Sequence, residues 1–273
     1  MSYIKGTTSL SLEANICSKM GDKANDFPKL EGYTRGWDGT HLVTMVKQEE
    51  NGSGVLVGIS YSTDVSNVKK YIGHANDCTY YDGIYYVVEG GSDRISSKMI
   101  KRYNMDLTLV SPDYEYSGTS DITCIAHIKG DYFFLGKGKK LIICKKNDVK
   151  HTFDKVIDDK AKVLFLPEEN TVLSGWIRQG MCCKKDKLYK VYGTRTEGRI
   201  RKNYIAKFRL SGTAPFYEGI SLHGVYACNR EGKYLFEAQS IDVSNTGQAY
   251  IAIDRRDTST DHDASIYQVT FKD

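Results

Sequence analysis

Asp77-Cys78-Thr79-Tyr80-Tyr81-Asp82-Gly83-Ile84-Tyr85-Tyr86-Val87-Val88 decides the fold. Two short runs rich in aromatic and β-branched residues flank Asp-Gly, a dipeptide that tolerates the left-handed backbone of a tight hairpin turn. The same plan recurs on both sides. Upstream, Trp37-Asp38-Gly39-Thr40-His41-Leu42-Val43-Thr44-Met45-Val46 leads through Asn51-Gly52 to Val55-Leu56-Val57-Gly58-Ile59. Downstream, Ile122 to Leu135 turns at Gly130-Asp131, Gln179 to Gly193 turns at the lysine pair Lys184-Lys185, and Ser240 to Ile253 turns at Asn245-Thr246-Gly247. Starts near 37, 77, 122, 179 and 240 give a period of roughly 40 to 60 residues, the length of a four-stranded propeller blade. A lone sheet of this kind has two faces to cover, so neighbours must stack and the ring must close. The sequence therefore predicts an all-β, five-bladed β-propeller forming one domain over 1–273. The last unit runs short of strands, and a strand from residues 1–33 is expected to complete it.

Composition agrees with this reading. Of 273 residues, 40% are hydrophobic and 26% charged, enough to fold and too apolar for a disordered chain. Twenty tyrosines and 25 glycines against four prolines suit a turn-rich β protein, its tyrosines half-buried with wet hydroxyls. Met1 to Gly6 carries no signal-peptide pattern and no stretch has a membrane-spanning length, so the expectation is synthesis in the cytoplasm without a signal peptide and no membrane insertion. Release by lysis, or carriage on a virion, would take the chain outside the cell. Seven irregularly spaced cysteines point to free thiols. The net charge of +4 is unevenly spread: residues 129–209 hold 21 Lys/Arg against 9 Asp/Glu, leaving 17 against 25 elsewhere. Such asymmetry suits an anionic partner, and it equally suits lysines that blunt exposed strand edges. No nucleic-acid motif accompanies the basic residues, which argues against a nucleic-acid partner.

Residues that precede an inner strand share one end of a ring of parallel inner strands. That places His74, Asn76 and Asp77, Arg178 and Gln179, Asp38 and Asp121 at one mouth, with Trp37 and Trp176 as its aromatic wall. Planar polar groups beside aromatic faces are what sugar rings select. The competing reading is structural: Asn and Asp tie tight corners, Gln179 and Glu237 join an inter-blade hydrogen-bond net, and tryptophans fill the core. Were the chain a glycoside hydrolase, Asp38, Asp77, Asp121 and Glu237 would have to supply two carboxylates roughly 5 to 9.5 Å apart. Asp254, Asp257, Asp261 and Asp263, with His262 among them, offer a weak Ca²⁺ site without EF-hand spacing, and no other cofactor or metal is expected. Gly136-Lys137-Gly138-Lys139-Lys140 lacks phosphate-loop spacing and reads as a hairpin turn. Adjacent Cys182 and Cys183 point to opposite faces of a strand and cannot share a metal readily.

His74-Ala75-Asn76-Asp77, then Gln179-Gly180-Met181, then Phe236-Glu237-Ala238-Gln239 before a final unit, together resemble the five-bladed propeller family of teichoic-acid-related wall proteins and phage receptor-binding proteins. The resemblance spans most of residues 33 to 273. It implies recognition of a Gram-positive cell-wall glycan, anionic or neutral, by a receptor-binding component of a phage or a phage-like particle, as a homo-oligomer or part of a larger assembly. The expectation is accordingly a non-catalytic carbohydrate-binding propeller, with a glycoside hydrolase and a protein-interaction scaffold as alternatives.

Overall fold

The computed structural model describes residues 4–16, 29–36, 38–46, 54–59, 68–70, 75–90, 97–156, 163–168, 171–194, 202–228, 235–256 and 263–273. Every named element among them is a strand. After β1 (Ile4–Asn15) come four antiparallel meanders, each of four strands in chain order. The first is β2 (Lys29–Arg35), β3 (His41–Val46), β4 (Gly54–Ile59) and β5 (Val68–Lys70). The second is β6 (Asp77–Tyr81), β7 (Ile84–Val88), β8 (Met99–Asn104) and β9 (Tyr114–Tyr116). The third is β10 (Cys124–Lys129), β11 (Tyr132–Lys137), β12 (Lys140–Asn147) and β13 (Thr152–Lys155), with the two-residue β14 (Leu164–Phe165) also paired to β12. The fourth is β15 (Ile177–Lys184), β16 (Lys187–Gly193), β17 (Asn203–Thr213) and β18 (Phe216–Ala227). β19 (Leu235–Val243), β20 (Ala249–Arg256) and β21 (Asp263–Lys272) take β1 as their fourth strand.

β1 pairs antiparallel with β21 from Thr7 opposite Lys272 to Asn15 opposite Ser265, and parallel with β18. The strand expected from the first 33 residues is thus present and pairs where the short final unit requires it. β9 and β13 likewise pair in parallel, joining the second group to the third by their outer edges.

The turns follow the chemistry of their residues. Asp82 and Gly83 both have positive φ, 51° and 80°, the backbone of a two-residue hairpin whose twist matches the strands it joins. Gly138 at 59° serves Gly136–Lys140, which is the β11–β12 hairpin and no phosphate loop.

An apolar cluster fills the seam between each group and the next. Leu42 meets Tyr85 and Val87 between the first and second groups. Tyr86 and Ile100 meet Phe133 and Phe153 at the next seam, and Phe134 and Ile143 meet Tyr192 and Phe208 at the third. Val191 and Ile205 meet Phe236 and Ile251, and Tyr250 and Ile266 return to Tyr33 and Val43 of the first group. The packing is therefore cyclic. Tyrosine plays a deeper part than a half-buried one: Tyr33, Tyr85, Tyr86, Tyr114, Tyr192, Tyr217, Tyr226 and Tyr267 are fully buried. Several find internal partners, as where Tyr217 donates to the Lys185 carbonyl at 2.6 Å. The six described cysteines are free thiols, and Cys17 lies outside the described residues.

One boundary differs from the sequence reading. The inner strand of the first group is β2, at 29–35, so β3 and the segment before it are not its beginning. β2 contains a glycine and three charged residues among seven, which hides its strand pattern. Its sequence belongs to the ring and not to the closing segment, which is β1 alone.

Candidate functional site

The inner strands β2, β6, β10, β15 and β19 surround a common axis, and a buried carboxylate joins them. Asp77 Oδ1 accepts from the Cys78 N–H at 3.1 Å, while Oδ2 accepts from the N–H groups of Ile125 at 3.1 Å and Met181 at 3.3 Å. The Ser240 hydroxyl lies 3.2 Å from Oδ1 and 3.3 Å from the Tyr33 carbonyl. One side chain and one serine thus reach all five inner strands. Room is made by glycine: a Cβ at Gly180 would fall 2.2 Å from Ser240 Oγ and 2.8 Å from Asp77 Oδ1. Burial pushes the Asp77 carboxyl up to about 7, against the opposing pull of Lys190 and of the hydrogen bonds from Ile125, Met181 and Ser240. Asp77 was expected to line the mouth. It is instead completely enclosed, with one hydrogen bond from its own strand and three from neighbouring ones.

Beside Asp77, where the inner strands begin, a cavity of about 520 Å³ opens, lined by Asn76, Thr123, Trp176, Arg178, Gln179 and Lys190. We call this the leading mouth. Asn76 donates to the Thr123 carbonyl at 2.9 Å, bridging the residue before β6 to the residue before β10. Gln179 donates through Nε2 to Glu237 at 3.0 Å. Arg178 forms a two-nitrogen contact with the buried Glu168, which also accepts from the Tyr192 hydroxyl at 2.7 Å. Trp176 stacks on Tyr204 with ring centres 4.2 Å apart, so one of its faces belongs to the core. Lys190 is 1% exposed, and its ammonium donates to the Gln179 carbonyl at 2.7 Å. A cation this deep, with one carbonyl among its described hydrogen-bond partners, is the least expected member of the set. Its signal in the sequence is a lysine interrupting the apolar run Leu188 to Tyr192. Nothing in the sequence marks Glu168 as the partner of Arg178.

Asn76, Arg178, Gln179 and Trp176 are therefore brought together. His74 and Trp37 lie outside the described residues. Asp38 is not at this mouth: it follows β2, in an exposed turn where its carboxylate accepts from the N–H and hydroxyl of Thr40 at 2.9 and 2.8 Å. The eight-residue shift in the first inner strand puts it at the opposite end of the ring. Asp121 stays at the surface with Lys137 at 3.4 Å. Glu237 is buried on β19 behind Gln179. Of the Ca²⁺ candidates, Asp263 faces Arg255 across the β20–β21 pair, and Asp254, one residue earlier, points to the other face. Asp257 and Asp261 lie outside the described residues.

A second cavity, of about 630 Å³, opens where the inner strands end, beside Arg35, Tyr81, His127, Lys184, Asp242 and Tyr250. Tyr81 and His127 stack at 4.0 Å, and the Arg35 guanidinium lies 5.1 Å from the Tyr250 ring centre. Asp242 repeats at this end what Asp77 does at the other, accepting from the Thr34 hydroxyl and the Arg35 N–H at 2.9 and 2.8 Å. The sequence reading did not foresee this trailing mouth.

No protein-family model matches the chain, and no curated protein matches it. Solved structures do share its fold. The tail fiber of Staphylococcus aureus phage P68 matches 96% of this chain with a TM-score of 0.56 at 13% identity. A GH43 protein from Bacillus licheniformis matches 97% at 0.52 and 11%, and the Bacillus subtilis arabinanase Arb43A matches 89% at 0.51 and 13%. The fold is a β-propeller. The propeller spans 52% of the phage tail fiber and 55% of the B. licheniformis protein, but 94% of the arabinanase. At such identities the likeness is one of architecture, and the propeller's chemistry has to come from its own residues. Among the described residues no helix is long and apolar enough to cross a membrane.

Proposed function

We propose that the chain is a five-bladed propeller, its blades led by β2, β6, β10, β15 and β19, that binds carbohydrate at the leading mouth without cleaving it. The observation that carries this reading is the cavity itself. Its volume of about 520 Å³ falls within the roughly 300–1,000 Å³ of small-ligand clefts. Two planar amides, Asn76 and Gln179, stand there beside a guanidinium and an enclosed ammonium, a set suited to the hydroxyl and anionic groups of a glycan. Hydrolysis would need two accessible carboxylates at a working separation. Asp77 is enclosed, Asp38 is at the other end, Asp121 is tied to Lys137, and Glu168 is committed to Arg178 and Tyr192. The family resemblance supports a Gram-positive wall glycan as ligand, and the fold shared with a phage tail fiber supports a receptor-binding role on a phage or phage-like particle.

The test is titration of wall-polysaccharide fragments into the folded protein by calorimetry. Asn76→Ala and Gln179→Ala should each weaken binding by about fivefold, the loss of about one hydrogen bond. Equal affinity of both variants and the wild type would remove the site from this mouth. The second reading, a glycoside hydrolase, draws on the fold shared with GH43 enzymes and on Glu237 standing behind Gln179. Release of reducing sugar by the wild type, abolished in Glu237→Gln, would establish it in place of the first.

A further inference from the structure

The basic excess of residues 129–209 finds a local use on the outer part of the fourth blade. β17 lies between β16 and β18, and the register puts Tyr189, Lys207 and Gly224 in one row and Lys187, Arg209 and Ser221 in the next. Residues directly opposite across antiparallel strands share a face. Gly224 leaves a gap in that face, and the stem of Lys5 from β1 crosses it: a Cβ there would lie 2.9 Å from Lys5 Cδ. His223 sits at the irregularity where β18 shifts register, and its side chain is exposed.

Lys207 stands at the floor of this surface. Its ammonium lies 3.3 Å from the ring centre of Phe271, 4.5 Å from that of Tyr226 and 5.9 Å from that of Tyr189. Among the described residues no carboxylate is within ion-pair distance of it. Asp273 acts on it from further off, but is already held by Lys5 at 3.2 Å and by the Tyr226 hydroxyl at 2.7 Å. Burial, followed by the repulsion of Lys187 and Lys5, lowers its proton affinity to about 8. The protonation of His223 is likewise disfavoured, by burial and then by Lys5, Arg209, Lys207 and Lys187. Aromatic faces offset part of the cost of this half-buried cation, and an arriving anion would offset the rest.

We propose that this face binds the oxyanion groups of an acidic polysaccharide, with Lys207 at its floor and Lys5, Lys187, Arg209 and His223 around it. The anion site stands on the geometry above, whereas the polysaccharide rests on the carbohydrate reading of the leading mouth. The fold places the two contacts on separate surfaces of one molecule. A long charged glycan could engage both, the second contact raising avidity without enlarging the first.

Dextran sulfate and neutral dextran form a matched pair of probes for the full chain. Dextran sulfate should bind with an affinity that falls steeply as salt is raised. The double variant Lys187→Gln/Arg209→Gln, altered only at exposed side chains, should bind it about tenfold more weakly. A bound oxyanion also covers the Lys207 amine and favours its protonated form, the proton coming from water, so dextran sulfate should slow acylation of Lys207 by an amine-reactive ester, read by peptide mass spectrometry. Because a long probe could engage both surfaces, the site is separated from the leading mouth by its local readout at Lys207, whose protection at saturating dextran sulfate Gln179→Ala should leave unchanged. Equal binding by the double variant, or equal protection of Lys207 by neutral dextran, overturns the site. Protection by inorganic phosphate as strong as that by dextran sulfate overturns the polymer and leaves a free-anion pocket.

Discussion

At the scale of the residue, Asp77 changes role between sequence and structure. Its place before an inner strand was legible, since His-Ala-Asn-Asp precedes a clear strand; its partners were not, because Ile125, Met181 and Ser240 lie 48, 104 and 163 positions away. A carboxylate that holds inner strands together should answer to stability before it answers to ligand. Asp77→Ala leaves the N–H groups of Ile125 and Met181 without an acceptor, at about 1–3 kcal/mol each. Denaturant unfolding should show a loss of that size, whereas unchanged stability would return Asp77 to a ligand-binding role. Protonation gives a second measurement. With a folded value of about 7 against about 3.9 unfolded, the unfolded chain releases the proton first as pH rises. The Asp77 contribution is therefore fully present below about pH 4 and is lost as pH rises to about 7, by up to about 4 kcal/mol. Asp77→Asn should remove this slope from a plot of stability against pH. An identical slope in the variant would assign it to other groups, Asp242 among them.

At the scale of the element, hairpins were the legible part. Asp82-Gly83 and Gly130-Asp131 each announce a turn locally, because positive φ selects the residues that adopt it, and the lysine pair of the fourth unit holds Lys185 at a φ of 55°. β2 was missed since Glu31 and Gly32 break its apolar pattern, and that miss carried Asp38 to the wrong end of the ring. The pairing of β1 was inferred from a shortage of strands, not from β1 itself, whose Thr7-Thr8-Ser9-Leu10-Ser11-Leu12-Glu13 alternates only weakly. Its energetic part can be tested. Removing residues 4–15 uncovers the edges of β18 and β21 and should lower the melting temperature markedly. A synthetic peptide of residues 4–15 should bind the shortened chain by strand addition and restore much of the loss. A shortened chain as stable as the full one would make β1 ornamental.

At the scale of the whole molecule, the sequence pointed to one candidate surface, and the fold presents three: two cavities at the ends of the inner strands and the basic face of the fourth blade. Periodicity reports strands and says nothing of which side chains meet across a seam, so the surroundings of Lys190 and Lys207 were not legible in it. Because β1 pairs with both β18 and β21, the final group cannot open without uncovering an edge of the fourth, and the cyclic seams tie the rest together. Unfolding should be one transition, with tryptophan fluorescence and far-ultraviolet dichroism coinciding; separated midpoints would mean the blades melt independently. The same pairing sets a schedule for the growing chain. Both partners of β1 lie more than 200 residues downstream, at Val225 and from Ser265 onward, so at roughly 5–20 residues per second a nascent β1 waits on the order of tens of seconds beside the ribosome. Its serines, threonines and Glu13 keep the segment wettable during that interval, and substituting them with valine should leave the finished ring intact while lowering the yield of soluble protein.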